Sequence, residues 1–309
     1  MSELTFEGRV AVVTGAGRGL GRAYAQLLAE RGARVVVNDL GGTMDGKGAD
    51  AGPAAHVVDV ITAAGGTALA DASDVATVEG AETLVGTAIE RFGGLDVLVN
   101  NAGIIRWAGP PDVDADNLAQ HLAVHVGGSF NTARAAWPHF VAQSYGRIVM
   151  TTSTGLFGLP ENTSYATAKG AVLGLARSLA TAGARQGIRV NCIAPAAFTR
   201  MAGGPDTASD SDTQDPRATQ MAPELVAPMV GLLAHESCPV TGEVLVAGAG
   251  RFSRLFLAVT EGYVHEGGDP TLEDLANHWE QICDPAGAHA PSDLFDWSKA
   301  FLAHLAPGS

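Results

Sequence analysis

The sequence predicts a doubly wound α/β fold built on a parallel sheet, followed by a C-terminal extension. Three observations carry this. Short apolar runs such as Val10-Ala11-Val12-Val13 recur and stop at a glycine or a short polar residue, as buried parallel strands do. Helix-length segments separate those runs, which is the rhythm of βαβ units. The first run leads directly into Thr14-Gly15-Ala16-Gly17-Arg18-Gly19-Leu20-Gly21, a turn that opens a helix.

The elements follow in order. Arg9–Thr14 reads as the first strand, and Gly19 to about Arg31 as a helix. Arg34–Asn38 repeats the strand signal with Val35-Val36-Val37 and ends at Asp39. A helix near Ala54–Ala64, a strand near Thr67–Asp71, a helix near Val78–Phe92 and the strand Leu95–Asn100 continue the alternation. A long helix fits Ala115–Gln143, with a bend expected at Pro138 because proline lacks the N–H a helix interior needs. Strand Arg147–Thr151, helix Ser164–Arg185 and strand Arg189–Ala194 come next, then helix Glu224–His235 and a last short strand, Glu243–Val246. Right-handed crossovers bring the strand C-termini to one edge, where ligands bind in such sheets. Ala202–Gln220 is rich in Gly, Asp, Ser and Thr and reads as a mobile loop, either a closing element or a surface insertion. Residues 1–249 form the expected nucleotide-binding domain. Residues 250–309, with helical patterns near Leu272–Ile282 and Leu294–Leu305, form an extension packed on the core or on a partner subunit.

Composition narrows the function. The 309 residues carry 33 acidic against 19 basic side chains, a net charge of −14, without the Lys/Arg clusters that nucleic acid or an anionic membrane requires. No apolar run is long enough to span a bilayer, and no signal-peptide pattern or Ser-Lys-Leu ending is present. Cys192, Cys238 and Cys283 lack metal-type spacing and read as reduced thiols. A cytoplasmic protein acting on a small molecule is the expectation.

Several motifs then converge on a nicotinamide dinucleotide. Gly15, Gly19 and Gly21 allow the tight turn and the close approach of a pyrophosphate, while the helix beginning near Leu20 offers free N–H groups. Asp39 lies 18 residues after Gly21, at the end of the second strand. There a carboxylate accepts hydrogen bonds from the adenosine ribose and repels a 2′-phosphate, which favours NAD. Arg18 argues the other way, since a guanidinium in this turn could hold that phosphate. Asp74 and Val75 follow the third strand on the adenine side. Asn100-Asn101-Ala102-Gly103 closes the fourth strand with small residues that admit the cofactor. Tyr165 and Lys169 stand one helical turn apart on a shared face, where an ammonium can favour the phenolate. A free tyrosine is a poor base, and bringing it to neutral pH takes about 4 kcal/mol of preference for the ionised form.

At this point the chain resembles the short-chain dehydrogenase/reductase family over roughly Phe6–Ala249. The glycine turn, Asn100–Gly103, Tyr165/Lys169 and Pro195 occur in family order. Within it, Val37-Asn38-Asp39-Leu40-Gly41-Gly42, Val124-His125-Val126, Gly128-Ser129-Phe130, Ile193-Ala194-Pro195 and His235-Glu236-Ser237-Cys238 are similar to the (3R)-hydroxyacyl-CoA dehydrogenase units of type 2 multifunctional enzymes. The resemblance implies a Rossmann-like fold and a homodimer or homotetramer. It implies that Tyr165 is the general acid/base and that Lys169 binds the nicotinamide ribose and lowers the Tyr165 pKa. A serine hydroxyl then polarises the substrate oxygen, and an asparagine holds a relay water. The serine position, 13 before the tyrosine, is Thr152 here, while Ser153 has the family's residue type, so both stay open. The asparagine position holds His125, a relay or a packing residue. The resemblance also implies that Phe198 backbone groups meet the nicotinamide carboxamide and that Thr199 approaches the phosphates, with Ala196 replacing the glycine that usually follows Pro195.

The expected activity is NAD-dependent interconversion of a secondary alcohol and a ketone. A 3-hydroxyacyl-CoA is one substrate class. A CoA thioester needs cations, however, and the extension offers Arg251, Arg254 and Lys299 against nine acidic residues. A steroid or another neutral alcohol is the alternative, and a non-catalytic NAD-binding protein is the rival from another class.

Overall fold

The computed structural model describes residues 3–202 and 215–305. It forms two compact units, Met1–Arg254 and Leu255–Ser309. In the first, β1 (Val10–Thr14), α1 (Gly19–Glu30), β2 (Arg34–Asn38), α2 (Gly52–Ala63), β3 (Thr67–Asp71), α3 (Val78–Phe92) and β4 (Val97–Asn100) alternate as the apolar runs predict. They are followed by α4 (Ala115–His121), α5 (Gly128–Gln143), β5 (Gly146–Thr151), α6 (Thr163–Gly183), β6 (Ile188–Pro195), α7 (Pro216–Gln220), α8 (Ala227–Ala234), β7 (Val244–Gly248) and β8 (Arg251–Leu255).

The eight strands form one sheet in the order β3-β2-β1-β4-β5-β6-β7-β8. Pairing is parallel from β3 through β7. Every residue of β1, β4 and β5 is buried, because helices cover both faces. Each buried valine there contributes roughly 1.5–3 kcal/mol relative to exposure. The sheet winds outward in both directions from β1, which pairs β2 on one side and β4 on the other. That reversal opens a crevice at the strand C-termini, where the Gly15 turn and Asn101 meet.

Three features depart from the expectation. The segment Ala115–Gln143 is not one helix bent at Pro138: a π-helical segment, Leu122–Gly127, separates α4 from α5, and Pro138 sits inside α5. Such π segments widen a helix by one residue per turn and recur at functional sites. The sheet does not stop at β7. Ala249 and Gly250, with φ of 50° and 72°, make a two-residue turn into β8. That turn is the hairpin type with both φ positive, so β8 runs antiparallel. The expected loop Ala202–Gln220 lies mostly outside the described residues, though its end forms α7, where Asp215 caps the Arg217 N–H.

The second unit contains α9 (Leu272–Asn277), α10 (Trp279–Cys283) and α11 (Leu294–Phe301). A capping box at Thr271/Asp274 starts α9, and Tyr263 stacks on His278 at 3.8 Å. Leu272, Leu294 and Phe295 are strongly exposed. Among the described residues, no helix is long and apolar enough to cross a membrane, and no cluster of His, Cys, Asp and Glu could hold a metal ion.

Candidate active site

A cavity of about 850 Å³ lies along the strand C-termini of the first unit. At one end it meets the glycine turn. Gly15 has φ of 61°, and a Cβ on Gly21 would lie 2.2 Å from the Gly15 carbonyl oxygen, so no other residue fits there. Asn101 locks the turn by donating from Nδ2 to the Thr14 and Gly15 carbonyls, each at 3.0 Å. Thr14 Oγ1 accepts the Asn101 and Ala102 N–H groups, which ties β1 to the loop after β4. The first turn of α1 contains no acidic residue, leaving its N-terminal end favourable to an anion.

Asp39 faces the same turn. Its Oδ2 accepts the Gly17 N–H at 2.7 Å and its Oδ1 accepts the Gly41 N–H at 2.7 Å. The carboxylate is therefore fixed in place, with lone pairs left for ribose hydroxyls. Arg18, Asp74, Val75, Ala102 and Gly103 line the cavity as well. Asn131 on α5 holds the carbonyl of Val75 at 3.3 Å. The donors, the carboxylate and the glycine cradle fit a dinucleotide.

At the far end stand Ser153, Tyr165 and Lys169. Lys169 is buried, and its Nζ donates to the Thr151 carbonyl at 2.7 Å and lies 5.5 Å from the centre of the Tyr165 ring. Burial lowers the Lys169 pKa to about 7. The Tyr165 pKa is raised, chiefly by burial, while a hydrogen bond with Ser153 pulls it down. The lowering of the phenol expected from Lys169 thus does not arise from the protein's groups alone, because desolvation opposes the charged form of each.

The two hydroxyls left open by the sequence point in different directions. Thr152 is wholly buried, and its Oγ1 donates to the Lys169 carbonyl at 2.8 Å, pinning α6 to the end of β5. Ser153 is half-buried, accepts the Gly155 N–H at 2.9 Å and reaches Tyr165.

Behind Tyr165 lie two buried histidines. His121 and His125 stack at 5.9 Å, and both meet the Tyr165 ring edge-on, at 6.3 and 5.5 Å. They grip the segment that follows Gly103. His121 Nδ1 bonds the Asn117 carbonyl at 2.8 Å while Nε2 accepts the Arg106 N–H, a pattern that fits only the neutral ring. His125 Nε2 bonds the Ile104 carbonyl at 2.8 Å, and its buried Nδ1 has no partner. A Cβ on Gly103 would lie 2.5 Å from His125 Cε1, so this glycine makes room for the imidazole. Burial lowers both histidine pKa values, that of His125 well below the usual one, with Lys169 adding to the effect. A histidine whose pKa falls on folding takes up its proton first in the unfolded chain. The stability that these two histidines contribute is therefore expected to be full above about pH 6.5 and to drop as pH falls below it. Thermal melts from pH 8 to pH 5 should show this, and His125→Gln should flatten the acid limb. An unchanged limb would refute the assignment.

The sequence pattern of the short chain dehydrogenases matches residues 9–206. The chain belongs to the short-chain dehydrogenase family. It is 43% identical over 282 residues to a short-chain type dehydrogenase/reductase of Mycobacterium tuberculosis, covering 91% of this chain and 96% of that one. The solved peroxisomal multifunctional enzyme type 2 of Drosophila melanogaster superimposes with a TM-score of 0.79 and 33% identity. That match covers 98% of this chain but spans only 50% of the relative. A 7α-hydroxysteroid dehydrogenase, solved with NADH and 7-oxo glycochenodeoxycholic acid, matches with a TM-score of 0.69 and 29% identity, covering 81% of this chain and 98% of its own. The protein is an oxidoreductase that acts on a CH–OH group with a nicotinamide cofactor.

Within this short-chain dehydrogenase the other sequence-picked residues fall around the same cavity. Leu20, Pro195, Phe198 and Thr199 line it. The Phe198 N–H, however, donates to the Met221 carbonyl at 2.8 Å, so that group is not available to a carboxamide. Thr199 Cγ2 lies 3.7 Å from where a Gly19 Cβ would stand, which places it against the glycine turn. Ala196 is accommodated because its neighbour Gly248 has no side chain: a Cβ there would lie 2.7 Å from the Ala196 methyl. Sequence reasoning missed His121, although it precedes His125 by four residues and shares its helix face.

Proposed function

We propose that this protein is an NAD-dependent dehydrogenase that oxidises a secondary alcohol, in the first place a 3-hydroxyacyl-CoA, with Ser153, Tyr165 and Lys169 as its catalytic residues. The observation that carries the reading is the convergence of Ser153, Tyr165 and the buried Lys169 at one end of a cavity continuous with the glycine turn. Held in this cavity, a nicotinamide would supply the hydride acceptor. With the positive charge of its oxidised form beside the ring to favour the phenolate, Tyr165 would take the hydroxyl proton. Ser153 donates to the oxygen as it becomes a carbonyl, and Lys169 holds the nicotinamide ribose. Neutral His125 keeps the ring of Tyr165 in place and offers Nδ1 to a relay water. Asp39, fixed at the end of β2, supports NAD over NADP.

The likeness to the multifunctional enzyme favours the acyl-CoA class. A second reading, a neutral steroid-like alcohol, is favoured by the apolar wall of Ile105, Trp107, Leu159 and Met201 and by the paired state of Arg106, whose guanidinium is held by Asp116 at 2.8 Å. Exposed Phe130 and Val141 on α5 support a homodimer or homotetramer, and three free cysteines support a reducing, cytoplasmic setting. A screen of NADH formation across hydroxyacyl thioesters and secondary alcohols tests the whole reading; no NADH from any of them would end it.

The two hydroxyls give a sharper test. Ser153→Ala is expected to lower kcat by roughly 10²–10³-fold, as loss of one donor to a developing oxyanion does. Thr152→Val should leave kcat within a few-fold and cost about 0.5–1.5 kcal/mol of stability, because it removes the hydrogen bond from the Thr152 hydroxyl to the Lys169 carbonyl. Steady-state kinetics paired with urea melts would expose a reversed pattern.

A further inference from the structure

Asn162 ends the loop that leads into α6, three residues ahead of Tyr165. It is only 3% exposed, yet its side chain does nothing visible for the fold. As the residue before α6 it makes no capping hydrogen bond, although capping is what asparagine ordinarily does there. Its Oδ1 is buried without a partner, while its Nδ2 lies beside Gly155 at the cavity. A buried amide left unpaired is costly, so a partner from outside the chain is called for.

The surroundings say where that partner sits. Asn162 lines the same cavity as Ser153 and Tyr165. A Cβ placed on Gly155 would lie 3.1 Å from Asn162 Nδ2, 3.1 Å from Ser153 Oγ and 3.2 Å from Tyr165 Cε1. The amide, the serine hydroxyl and the phenol ring thus border one small space. With Ser153 and Tyr165 engaged on the reacting hydroxyl, the amide reaches the atoms next to it.

We propose that Asn162 is a specificity-determining residue whose amide holds a second oxygen of the substrate, close to the carbinol carbon. As placed, the amide Nδ2 borders that space and presents an N–H donor, which suits a carbonyl oxygen. A 3-hydroxyacyl thioester carries such a carbonyl two carbons from its hydroxyl, and a simple secondary alcohol does not. The proposal rests on the alcohol-oxidising reading above and selects within it the β-hydroxycarbonyl class.

The test compares a 3-hydroxyacyl-pantetheine thioester with a secondary alcohol of equal carbon length that lacks the carbonyl. The wild type, Asn162→Ala and Asn162→Asp are assayed with both. The thioester-to-alcohol ratio of kcat/KM is expected to fall roughly 10- to 100-fold in both variants, mostly through the thioester KM, as loss of one buried hydrogen bond gives. The aspartate variant keeps the volume but removes the donor, so it separates the contact from packing. An unchanged ratio, or a wild type that does not prefer the thioester, overturns the assignment. If the wild type oxidises no alcohol with either nicotinamide, the proposed function fails separately. Binding of the thioester to wild type and Asn162→Ala by calorimetry then still decides: tenfold weaker binding in the variant supports the contact, and equal binding overturns it.

Discussion

Replacing Tyr165 by phenylalanine is expected to cut kcat by roughly 10²–10⁴-fold, the range that a positioned acid/base supplies, while leaving NADH affinity within about twofold. The substitution removes only the oxygen. The ring stays packed against the stacked imidazoles of His121 and His125 and beside the Lys169 ammonium, so its shape in the cavity is kept. Ser153 keeps its bond from Gly155. Because Ser153 and Tyr165 serve one oxygen, the double variant should be little worse than Tyr165→Phe alone. Fluorescence titration with NADH and single-turnover kinetics check the two halves. A Tyr165→Phe enzyme with more than a tenth of wild-type kcat would dismiss the phenol as the proton acceptor, and additive losses in the double variant would separate Ser153 from it.

The fold was legible because its signals are local. Val10–Val13 and Val35–Val37 are apolar on both strand faces, and only a sheet covered twice can bury them. The difference between the Thr152 and Ser153 hydroxyls was not, because it turns on which way each residue faces. Side chains alternate along an extended segment, so Thr152 and Ser153 must face opposite sides. Counting back from Tyr165 cannot tell which side is the cavity, whereas the Thr152 bond to the Lys169 carbonyl does. The π segment escaped for a different reason. Leu122–Gly127 carries no proline or other marker, and its widened turn is a product of tertiary packing around His125 and Gly103, whereas Pro138 is a marker that the helix absorbs. Strand β8 hid behind its composition, since Arg251-Phe-Ser-Arg-Leu255 is largely exposed and lacks the apolar run of an interior strand. Asn162 gave no signal at all. Its interest comes from hydrogen bonds it fails to make, which only coordinates reveal.

Substitution of Asp39 should produce the largest change in cofactor choice. In Asp39→Ala, NAD loses a carboxylate acceptor at its ribose, worth about 1.5–3 kcal/mol, so its KM should rise roughly 10- to 100-fold. NADP, which the carboxylate repels, should gain as the charge goes, with Arg18 in the same cavity to meet a 2′-phosphate. The structure complicates the alanine variant, since both Asp39 oxygens also anchor backbone N–H groups, those of Gly17 and Gly41. Losing those anchors loosens the turn for either cofactor. Asp39→Asn separates the effects. It keeps the size and one of the two acceptor oxygens but removes the charge, so NADP should gain while one of the two backbone anchors is kept. If charge decides the choice, the NAD-to-NADP ratio of kcat/KM should fall about as far in Asp39→Asn as in Asp39→Ala. If anchoring decides it, the ratio should hold in Asp39→Asn, and Asp39→Ala should weaken both cofactors alike. A wild-type enzyme that already prefers NADP would show that Arg18, and not Asp39, sets the preference.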